Sequence, residues 1–281
     1  MNTAQERTIG IVAGGGQFPL LFARAAKAQG YRVVAVAHRG ETNAELADLA
    51  DRCHWVRLGQ LGRIIKCMRR EGVRETVLLG TITKTNIFRD VRPDLKGLAM
   101  WKRIDAKQDD AILRAVAGAM EEEGIRVVAS TGLLPELLFP RGLLTRTGPT
   151  AAQIEDINFG WRMAKEIGSL DIGQCVVVRD RVVLAVEAIE GTDAAIRRGG
   201  QLSSGRAVVV KIRKPCQDSR FDLPAVGLAT IGTMAEVKGA VLAVEAGQAL
   251  LFDAEATLRA ADRQGIVVVG VEERPDGGLN F

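Results

Sequence analysis

The sequence predicts an α/β protein of two domains, an N-terminal Rossmann-like parallel sheet and a C-terminal mixed α/β domain. Three observations lead to this class. The chain has 281 residues, which is more than one average domain needs. In its first half, short apolar runs alternate with helical patterns, which is typical of a parallel sheet covered on both faces. In its second half two apolar runs follow each other directly, which indicates a hairpin and therefore a mixed sheet.

The first half is predicted to alternate strands and helices in regular order. The runs that predict strands are Thr8–Ala13, Arg32–Ala37, Cys53–Leu58, Glu75–Gly80 and Ile125–Ala129. Apolar residues at helical spacing predict the helices Pro19–Gln29, Ala44–Leu49, Leu61–Arg70 and Asp105–Glu123. We therefore place an N-terminal nucleotide-binding domain at residues 1–135.

The second half begins with the apolar segment Gly132–Leu144, which Pro135 and Pro140 prevent from forming one regular helix. Residues 136–150 are predicted to be a linker, and residues 151–281 a C-terminal domain that carries the catalytic carboxylates. Its predicted elements are the helix Ala152–Ile167, a hairpin of Gln174–Arg179 and Arg181–Ala188 around Asp180, the strand Ala207–Arg213, and renewed helix and strand alternation over Glu236–Glu245, Asp253–Gln264 and Ile266–Val271.

The composition excludes several classes of protein. The net charge is only +4 and aromatic residues make up 4% of the chain, so binding to duplex or single-stranded nucleic acid is not expected. The four cysteines form no CxxC pair and there are two histidines, which excludes a multi-histidine metal centre and suits a reducing cytoplasm. No run of 18 or more apolar residues predicts a membrane-spanning helix.

A glycine loop follows the first predicted strand and precedes a helix that begins near Pro19. Such a loop lets backbone N–H groups approach an anion, and the helix start adds its dipole, so it is a candidate nucleotide contact. It does not match the dinucleotide fingerprint, because Pro19 replaces the last glycine and the second strand ends in His38 and Arg39 without an acidic residue. A tight turn without a ligand is an equally good interpretation. The candidate contacts are Ala13, Gly14, Gly15, Gly16 and Gln17.

Gly80 and Thr81 follow a later predicted strand of the same sheet. Because ligands of such sheets bind outside the carboxyl ends of the strands, these two residues are candidates to line the same cleft. The alternative is that Thr81 caps a helix.

Glu187 follows an apolar strand of the second half, where a carboxylate is costly unless it is paired or bound to a metal. Thr192 and Asp193 come shortly afterwards. The alternative for Asp193 is that it caps the next helix, Ala194–Arg198.

A charged loop lies between Pro215 and Pro224, which hold the backbone extended. Mixed cations and carboxylates of this kind suit phosphoryl chemistry, because carboxylates hold Mg²⁺ and lysine or arginine neutralises phosphate oxygens. A solvated charged loop is the alternative. The candidate residues are Asp218, Arg220 and Asp222 within this loop and Lys214 directly before it.

Seven blocks of the sequence resemble a known family. They are GIVAGGGQFP (10–19), NIFRDVRPD (86–94), LPELLFPRG (134–142), DIGQCVVVRD (171–180), AVEAIEGTD (185–193), KPCQDSRFDLPAVG (214–227) and AVEAGQALL (243–251). In this order they resemble the UDP-2,3-diacylglucosamine pyrophosphatases of the LpxI type, enzymes of lipid A biosynthesis, over nearly the whole chain.

The resemblance implies hydrolysis of UDP-2,3-diacylglucosamine to 2,3-diacylglucosamine 1-phosphate (lipid X) and UMP, assisted by Mg²⁺ or another divalent cation. It implies two α/β domains with the substrate between them, and a homodimer. It also implies a setting at the cytoplasmic face of the inner membrane of Gram-negative bacteria, with transient membrane contact.

The resemblance also suggests roles for the candidate residues. Asp222 and the residue at position 229 would hold the metal or orient water, with Asp218 and Glu187 as further catalytic candidates. Lys214 or Arg220 would balance phosphate charge. The substrate contacts would be Gly14, Gly15, Gly16, Gly80, Thr81, Gln174, Thr192 and Asp193.

One position departs from the family pattern. The segment after FDLP continues in the family as G-x-D-T, whereas this chain reads Gly227-Leu228-Ala229-Thr230. Alanine cannot bind a metal or orient water, so the resemblance suggests a chain inactivated at Ala229. Two alternatives stay open: a Rossmann-like nucleotide-sugar oxidoreductase, and a non-catalytic protein that binds a nucleotide or lipid.

Overall fold

The computed structural model describes residues 7–82, 92–103, 109–215, 217, 218, 220 and 223–281. These residues form two compact units. The first extends to Pro135 and also takes in Asp218 and Arg220, and the second comprises Glu136–Gln217 and Leu223–Phe281. Residues 136–150, predicted as a linker, therefore belong to the second unit.

The first unit contains a five-stranded parallel sheet in the order β3-β2-β1-β4-β5. The strands are β1 (Thr8–Ala13), β2 (Arg32–His38), β3 (Arg52–Val56), β4 (Glu75–Leu79) and β5 (Arg126–Val127). The helices of the described residues are α1 (Phe18–Ala28), α2 (Leu46–Leu49), α3 (Leu61–Arg70), α4 (Leu95–Arg103) and α5 (Asp109–Glu121). This strand order confirms the predicted Rossmann-like sheet.

The second unit is built on a mixed sheet in the order β14-β13-β11-β9-β7-β8, with β6 also paired to β13. The strands are β6 (Gly142–Leu143), β7 (Cys175–Arg179), β8 (Val182–Val186), β9 (Val208–Lys211), β11 (Val241–Glu245), β13 (Val267–Glu273) and β14 (Leu279–Asn280). A separate parallel pair consists of β10 (Ala225–Val226) and β12 (Leu250–Leu251). Strands β9, β11 and β13 are parallel, whereas β7 runs antiparallel to β8 and β9. The predicted mixed domain is thus confirmed.

Helices cover both faces of this mixed sheet. They are α6 (Ala151–Ser169), α7 (Thr192–Leu202), α8 (Leu228–Glu236) and α9 (Ala254–Gln264). Trp161 of α6 packs on the face that carries Val176 and Val208. The other three helices pack on the face that carries Val177 and Val209. Because successive strand residues point to opposite faces, the valine-rich strands fill both cores.

The predicted hairpin of β7 and β8 is confirmed, although its turn sequence is unusual. Asp180 and Arg181 both have positive φ angles, 51° and 59°, in a two-residue turn that normally favours Asn-Gly. The carboxylate of Asp156 on α6 accepts hydrogen bonds from the N–H groups of both residues, at 3.1 and 2.6 Å. A side chain distant in sequence therefore stabilises the turn.

Three strands of the second sheet end at one edge. Strand β8 runs parallel to β9 and β11, because β7 is antiparallel to its neighbours on both sides. Glu187, Lys211 and Glu245 therefore lie at what we call the carboxyl edge, the ends of β8, β9 and β11.

Two helices begin at the carboxyl edge. Helix α7 starts at Thr192, six residues after the last residue of β8, and packs against α8. Arg197 donates hydrogen bonds to Thr233 and Glu236, at 3.3 and 2.7 Å, and Gly200 faces Val237. The second halves of the two helices consequently contact each other.

Candidate active site

Glu187 forms the centre of the polar groups at the carboxyl edge. Its side chain is 7% exposed, and its Oε1 atom accepts a hydrogen bond of 2.9 Å from the Thr192 hydroxyl. Its Oε2 atom is buried and has no hydrogen-bond partner in the described structure. A buried carboxylate oxygen without a partner is costly, so this atom is a place where a cation, a water molecule or a ligand hydroxyl would bind. Among the described residues, Glu187 is therefore hydrogen-bonded through one oxygen only.

Lys211 is a functional candidate that the sequence interpretation missed. It ends β9, is 5% exposed, and donates a hydrogen bond of 2.8 Å from Nζ to the Ala225 carbonyl. Among the described residues it forms no ion pair, although buried ammonium groups are usually paired. In the sheet, Cys175 of β7 is paired with Lys211 of β9 on one side and with Glu187, after β8, on the other side. Because directly paired residues point to the same face, the three side chains share one face of the sheet. The signal in the sequence is a lysine that closes a run of valines.

Cys175 lies between these two charged residues. Burial raises the pKa of its thiol well above the usual range, and the Glu187 carboxylate acts in the same direction. The thiol is therefore protonated at neutral pH, which argues against a role as nucleophile.

The first turns of α7 and α8 both begin without a side-chain cap. Thr192 and Asp193 occupy the first two positions of α7, and the N-cap is Gly191, so the alternative interpretation of Asp193 as the cap is wrong. Neither this N-cap nor Gly227, the N-cap of α8, receives a side-chain capping bond. The Thr192 hydroxyl bonds to Glu187 instead. Ala229 is the second residue of α8 and is exposed.

Gln174 is not brought together with Glu187. It immediately precedes β7, and strand alternation places its side chain on the face opposite to Cys175. Its Oε1 atom is buried and lacks a hydrogen-bond partner in the described structure. That Gln174 contacts the substrate therefore stays a prediction.

The predicted charge-balancing cations are already engaged. The ammonium of Lys214 lies 2.5 Å from Asp171 in the second unit. Arg220 forms two-pronged hydrogen bonds with Asp218 and a 2.7 Å ion pair with Glu121, all within the first unit. Hydrogen bonds from Arg220 hold the pKa of the Asp218 carboxyl below its usual range. Asp222 lies outside the described residues.

The glycine loop of the first unit is held mainly by its own backbone. Gly14 N–H donates to Leu79 at 2.7 Å, and Gly15 exchanges two hydrogen bonds with Thr81. These two N–H groups are thus occupied, which corrects the expectation that they are available to an anion. A side chain on Gly14 would lie 2.5 Å from the Thr81 carbonyl oxygen, so the close contact requires glycine.

Gly16 and Gln17 are the exposed part of this loop. Gln17 is the N-cap of α1 without a side-chain capping bond, and neither backbone N–H group bonds to a described residue. Gly80 and Thr81 contact Gly15, so the structure does bring the two loops together as expected. The alternative role of Thr81, as the cap of a following helix, stays a prediction because residues 83–91 lie outside the described residues.

The described part of the chain contains no group of three His, Cys, Asp or Glu side chains arranged to hold a metal ion. Mg²⁺ needs fewer protein ligands, because it usually binds one or two carboxylates together with water and substrate phosphates. The oxygen atoms of Glu187 and Asp193 are of the type it prefers. Within the same described residues, no helix is both long and apolar enough to cross a membrane.

The fold and these sites define a two-unit α/β protein with a glycine loop on a Rossmann-like sheet and a buried polar centre on a mixed sheet. The model of the LpxI N-terminal domain matches residues 8–137, and that of the LpxI C-terminal domain matches residues 140–269. The UDP-2,3-diacylglucosamine pyrophosphatase LpxI of Caulobacter vibrioides is 37% identical over 284 residues, covering 96% of this chain and 100% of that protein. The chain belongs to the LpxI family, as the sequence blocks indicated.

Likeness to solved structures is weak. A biotin carboxylase domain from Hydrogenobacter thermophilus shares 16% identity at a TM-score of 0.27, over 63% of this chain and 36% of that one. The N5-carboxyaminoimidazole ribonucleotide synthetase of Thermotoga maritima shares 13% identity at a TM-score of 0.26, over 64% of this chain and 41% of that one. The chain thus spans well under half the length of these structures, and neither score indicates a shared overall architecture.

Proposed function

We propose that this chain acts on the pyrophosphate of UDP-2,3-diacylglucosamine, the hydrolysis of which gives lipid X and UMP. The family membership and the 37% identical pyrophosphatase support the reaction. The observation that carries the proposal for the site is the buried polar centre at the carboxyl edge, where Glu187 has an unpartnered oxygen and Lys211 an unpaired charge. Neither comparison supports the oxidoreductase that the sequence left open.

The residues of the carboxyl edge have different chemical roles in this proposal. The Lys211 ammonium and the N–H groups at the starts of α7 and α8 neutralise negative charge on a phosphate oxygen. The Thr192 hydroxyl fixes one oxygen of Glu187, so that the other points in a defined direction. This free oxygen accepts a proton or a hydrogen bond from water or from a sugar hydroxyl.

Mg²⁺ fits this donor set. Glu187 and Asp193 would hold it, and the ion would supply charge neutralisation on the pyrophosphate and a more acidic bound water. In whichever protein turns over, the unmodified chain or the variant Ala229→Asp, removal of divalent cations with EDTA is expected to abolish turnover, and added Mg²⁺ to restore it. Turnover that persists in EDTA after exhaustive dialysis would contradict this part of the proposal.

We further propose that Ala229 leaves this site one carboxylate short. Position 229 lies in the first turn of α8, and Asp193 lies in the first turn of α7. A carboxylate at position 229 would be stabilised by the helix dipole. The variant Ala229→Asp is therefore expected to turn over, and the unmodified chain to bind substrate without hydrolysing it.

The test is release of UMP from UDP-2,3-diacylglucosamine with Mg²⁺ by the unmodified chain, by Ala229→Asp and by the control Ala229→Asn. Turnover by Ala229→Asp alone supports both the reaction and the role of position 229. Equal turnover by all three proteins would refute the inactivation and retain the reaction. If none releases UMP while substrate still binds, the chain is a non-catalytic binding protein.

For the first unit we propose that the uridine nucleotide binds at the glycine loop. The exposed N–H groups of Gly16 and Gln17, at the uncapped start of α1, are the donors that remain for a phosphate. Ala13, Gly14, Gly15, Gly80 and Thr81 would form the rigid backing of this contact.

Transient contact with a membrane is supported by apolar residues around the carboxyl edge. Ile189, in the connection from β8 to α7, is 84% exposed, and Leu170, in the connection from α6 to β7, is 70% exposed. Ile172 and Leu228 are exposed at the same edge. The double variant Ile189→Ser/Leu170→Ser is expected to sediment less with anionic lipid vesicles, whereas Val182→Ser, at the opposite edge, is not. Equal sedimentation of all variants would refute this surface.

The expected homodimer rests on the family resemblance alone, and the expected cytoplasmic location rests on that resemblance together with the cysteine pattern. Light scattering coupled to size-exclusion chromatography of the full chain tests the dimer, and a mass near 30.2 kDa would contradict it.

A further inference from the structure

His38 has no role in the site described so far, yet it is fixed in an unusual way. It is the last residue of β2 and is 7% exposed. Its Nδ1 atom lies 2.9 Å from the carbonyl oxygen of Ala13, the residue that leads into the glycine loop. The strand thus brings an imidazole directly beside the loop to which the nucleotide is assigned.

The hydrogen bonds around His38 settle which nitrogen carries the proton. A carbonyl oxygen can only accept, so Nδ1 must donate to Ala13. The Thr42 hydroxyl donates to the same carbonyl at 2.6 Å and accepts from the His38 backbone N–H at 2.9 Å, which fixes the turn after β2. In the neutral ring the Nε2 atom is then a pure acceptor, and it bonds to none of the described residues. Burial lowers the pKa of His38, which favours this neutral form.

The location of this acceptor is informative. Sheets with the order 3-2-1-4-5 bind nucleotides at the carboxyl ends of their strands, with phosphate at the glycine loop after β1. Roughly 20 residues further on, at the end of β2, dinucleotide-binding proteins carry an acidic residue that accepts a hydrogen bond from a ribose hydroxyl. This chain has no acid there, and His38 stands at the end of β2 instead.

We propose that Nε2 of His38 accepts a hydrogen bond from a ribose hydroxyl of the bound nucleotide, in place of the usual carboxylate. A neutral acceptor suits a nucleotide whose phosphates lie nearby, because a carboxylate would repel them. The role rests on the proposed nucleotide site of the first unit and adds a determinant of sugar specificity to it.

The test compares UMP with 2′-deoxy-UMP and 3′-deoxy-UMP by calorimetric titration of the full chain. The unmodified chain is expected to bind UMP about ten-fold more tightly than the analogue that lacks the bonded hydroxyl. His38→Phe, which keeps an aromatic ring but removes the Nε2 acceptor together with the Nδ1 donor to Ala13, is expected to bind UMP and that analogue equally. The matched control is His54→Phe, because the other histidine bonds to Glu71 at 3.1 Å and lies away from the loop.

Outcomes separate this inference from the proposed function. If the unmodified chain binds UMP but His38→Phe keeps full preference for the ribonucleotide, His38 is not the acceptor and the nucleotide site stands. If neither UMP nor UDP binds at millimolar concentration, the nucleotide site itself fails and the inference falls with it.

A measurement on the unmodified chain removes dependence on the fold of the variant. With only two histidines in the chain, ¹⁵N spectra of the imidazoles are readily assigned. We expect an unprotonated Nε2 signal for His38 that moves toward the protonated range when UMP binds and moves less with the discriminating analogue. A His38 Nε2 signal unchanged by UMP would overturn the inference.

Discussion

Replacement of Lys211 by methionine tests whether Lys211, which the structure favours, or Lys214, which the sequence favoured, acts in the site. Methionine keeps the apolar stem of the side chain and removes the ammonium. The control is Lys214→Met, because Lys214 is the lysine that the sequence favoured but its charge is balanced by Asp171 at 2.5 Å. Both variants remove one positive charge from the same segment of the second unit.

The size of the expected effect follows from burial. Lys211 is 5% exposed, so its charge acts on a phosphate oxygen with little screening by water. At an effective dielectric constant of about 20 and a separation of about 4 Å, one pair of charges is worth roughly 4 kcal/mol. Part of this is lost to imperfect geometry, and removal of one comparable donor in other enzymes costs about 10²–10³-fold in rate. We expect a loss in that range for Lys211→Met and less than about five-fold for Lys214→Met.

Stability is expected to change much less than activity. The Ala225 carbonyl loses its donor, which costs about 1–3 kcal/mol, but the cost of burying a charge disappears with it. Urea unfolding therefore serves as the control for the fold, and UMP release is measured in whichever background turns over, unmodified or Ala229→Asp. A larger loss from Lys214→Met than from Lys211→Met would refute the assignment.

Three further predictions use matched pairs. Glu187→Gln is expected to lower turnover by at least about 100-fold with little loss of stability. Glu245→Gln is expected to lower stability rather than turnover, because the Glu245 oxygens bond to Lys165 and to the Arg213 N–H. The reverse result in kinetic and urea assays would contradict the site. Gly80→Ala is expected to destabilise the chain by about 1–3 kcal/mol more than Gly30→Ala. Both positions have positive φ, but only a Cβ added at Gly80 would clash with the Gly15 backbone. Equal unfolding free energies of the two variants would argue against that contact. Because burial lowers the pKa of His38, the stability that the neutral imidazole contributes is complete above the unfolded pKa of about 6.5 and is lost as the pH falls toward the folded pKa. In unfolding experiments between pH 7 and pH 5, His38→Phe should lack this loss of stability. An identical pH profile for the variant and the unmodified chain would contradict the prediction.

The sequence predicted the framework of the first unit closely. The bounds of β1 and α3 agree with the expectation, because a short apolar run followed by glycines predicts the strand and a strongly periodic apolar pattern predicts the helix. Helix α8 was not predicted: its sequence LATIGTMAE has no clear polar face and contains Gly232. Its helical state depends on packing against α7 and the sheet, which a local pattern does not contain.

The site was predicted in part, for a related reason. The sequence marked Glu187, Thr192 and Asp193, since a carboxylate after an apolar strand and a polar turn after it are visible locally. It could not rank Lys211 against Lys214, because both are lysines in one short segment. The difference arises from partners distant in sequence: Asp171 meets Lys214, and no described carboxylate pairs with Lys211.

The carboxyl edge shows how one pattern produces both structural and functional charges. Strands β8, β9 and β11 each pass from apolar residues to a charged one at the same edge, at Glu187, Lys211 and Glu245. Glu245 is satisfied on both oxygens, so its burial is compensated within the fold. Glu187 is satisfied on one oxygen, and Lys211 through one carbonyl alone. The uncompensated cost of burying these two groups lowers the stability of the unliganded chain, and a ligand that supplies the missing partners recovers that cost as binding energy. Bound substrate should therefore stabilise the second unit more than the buried area alone would give.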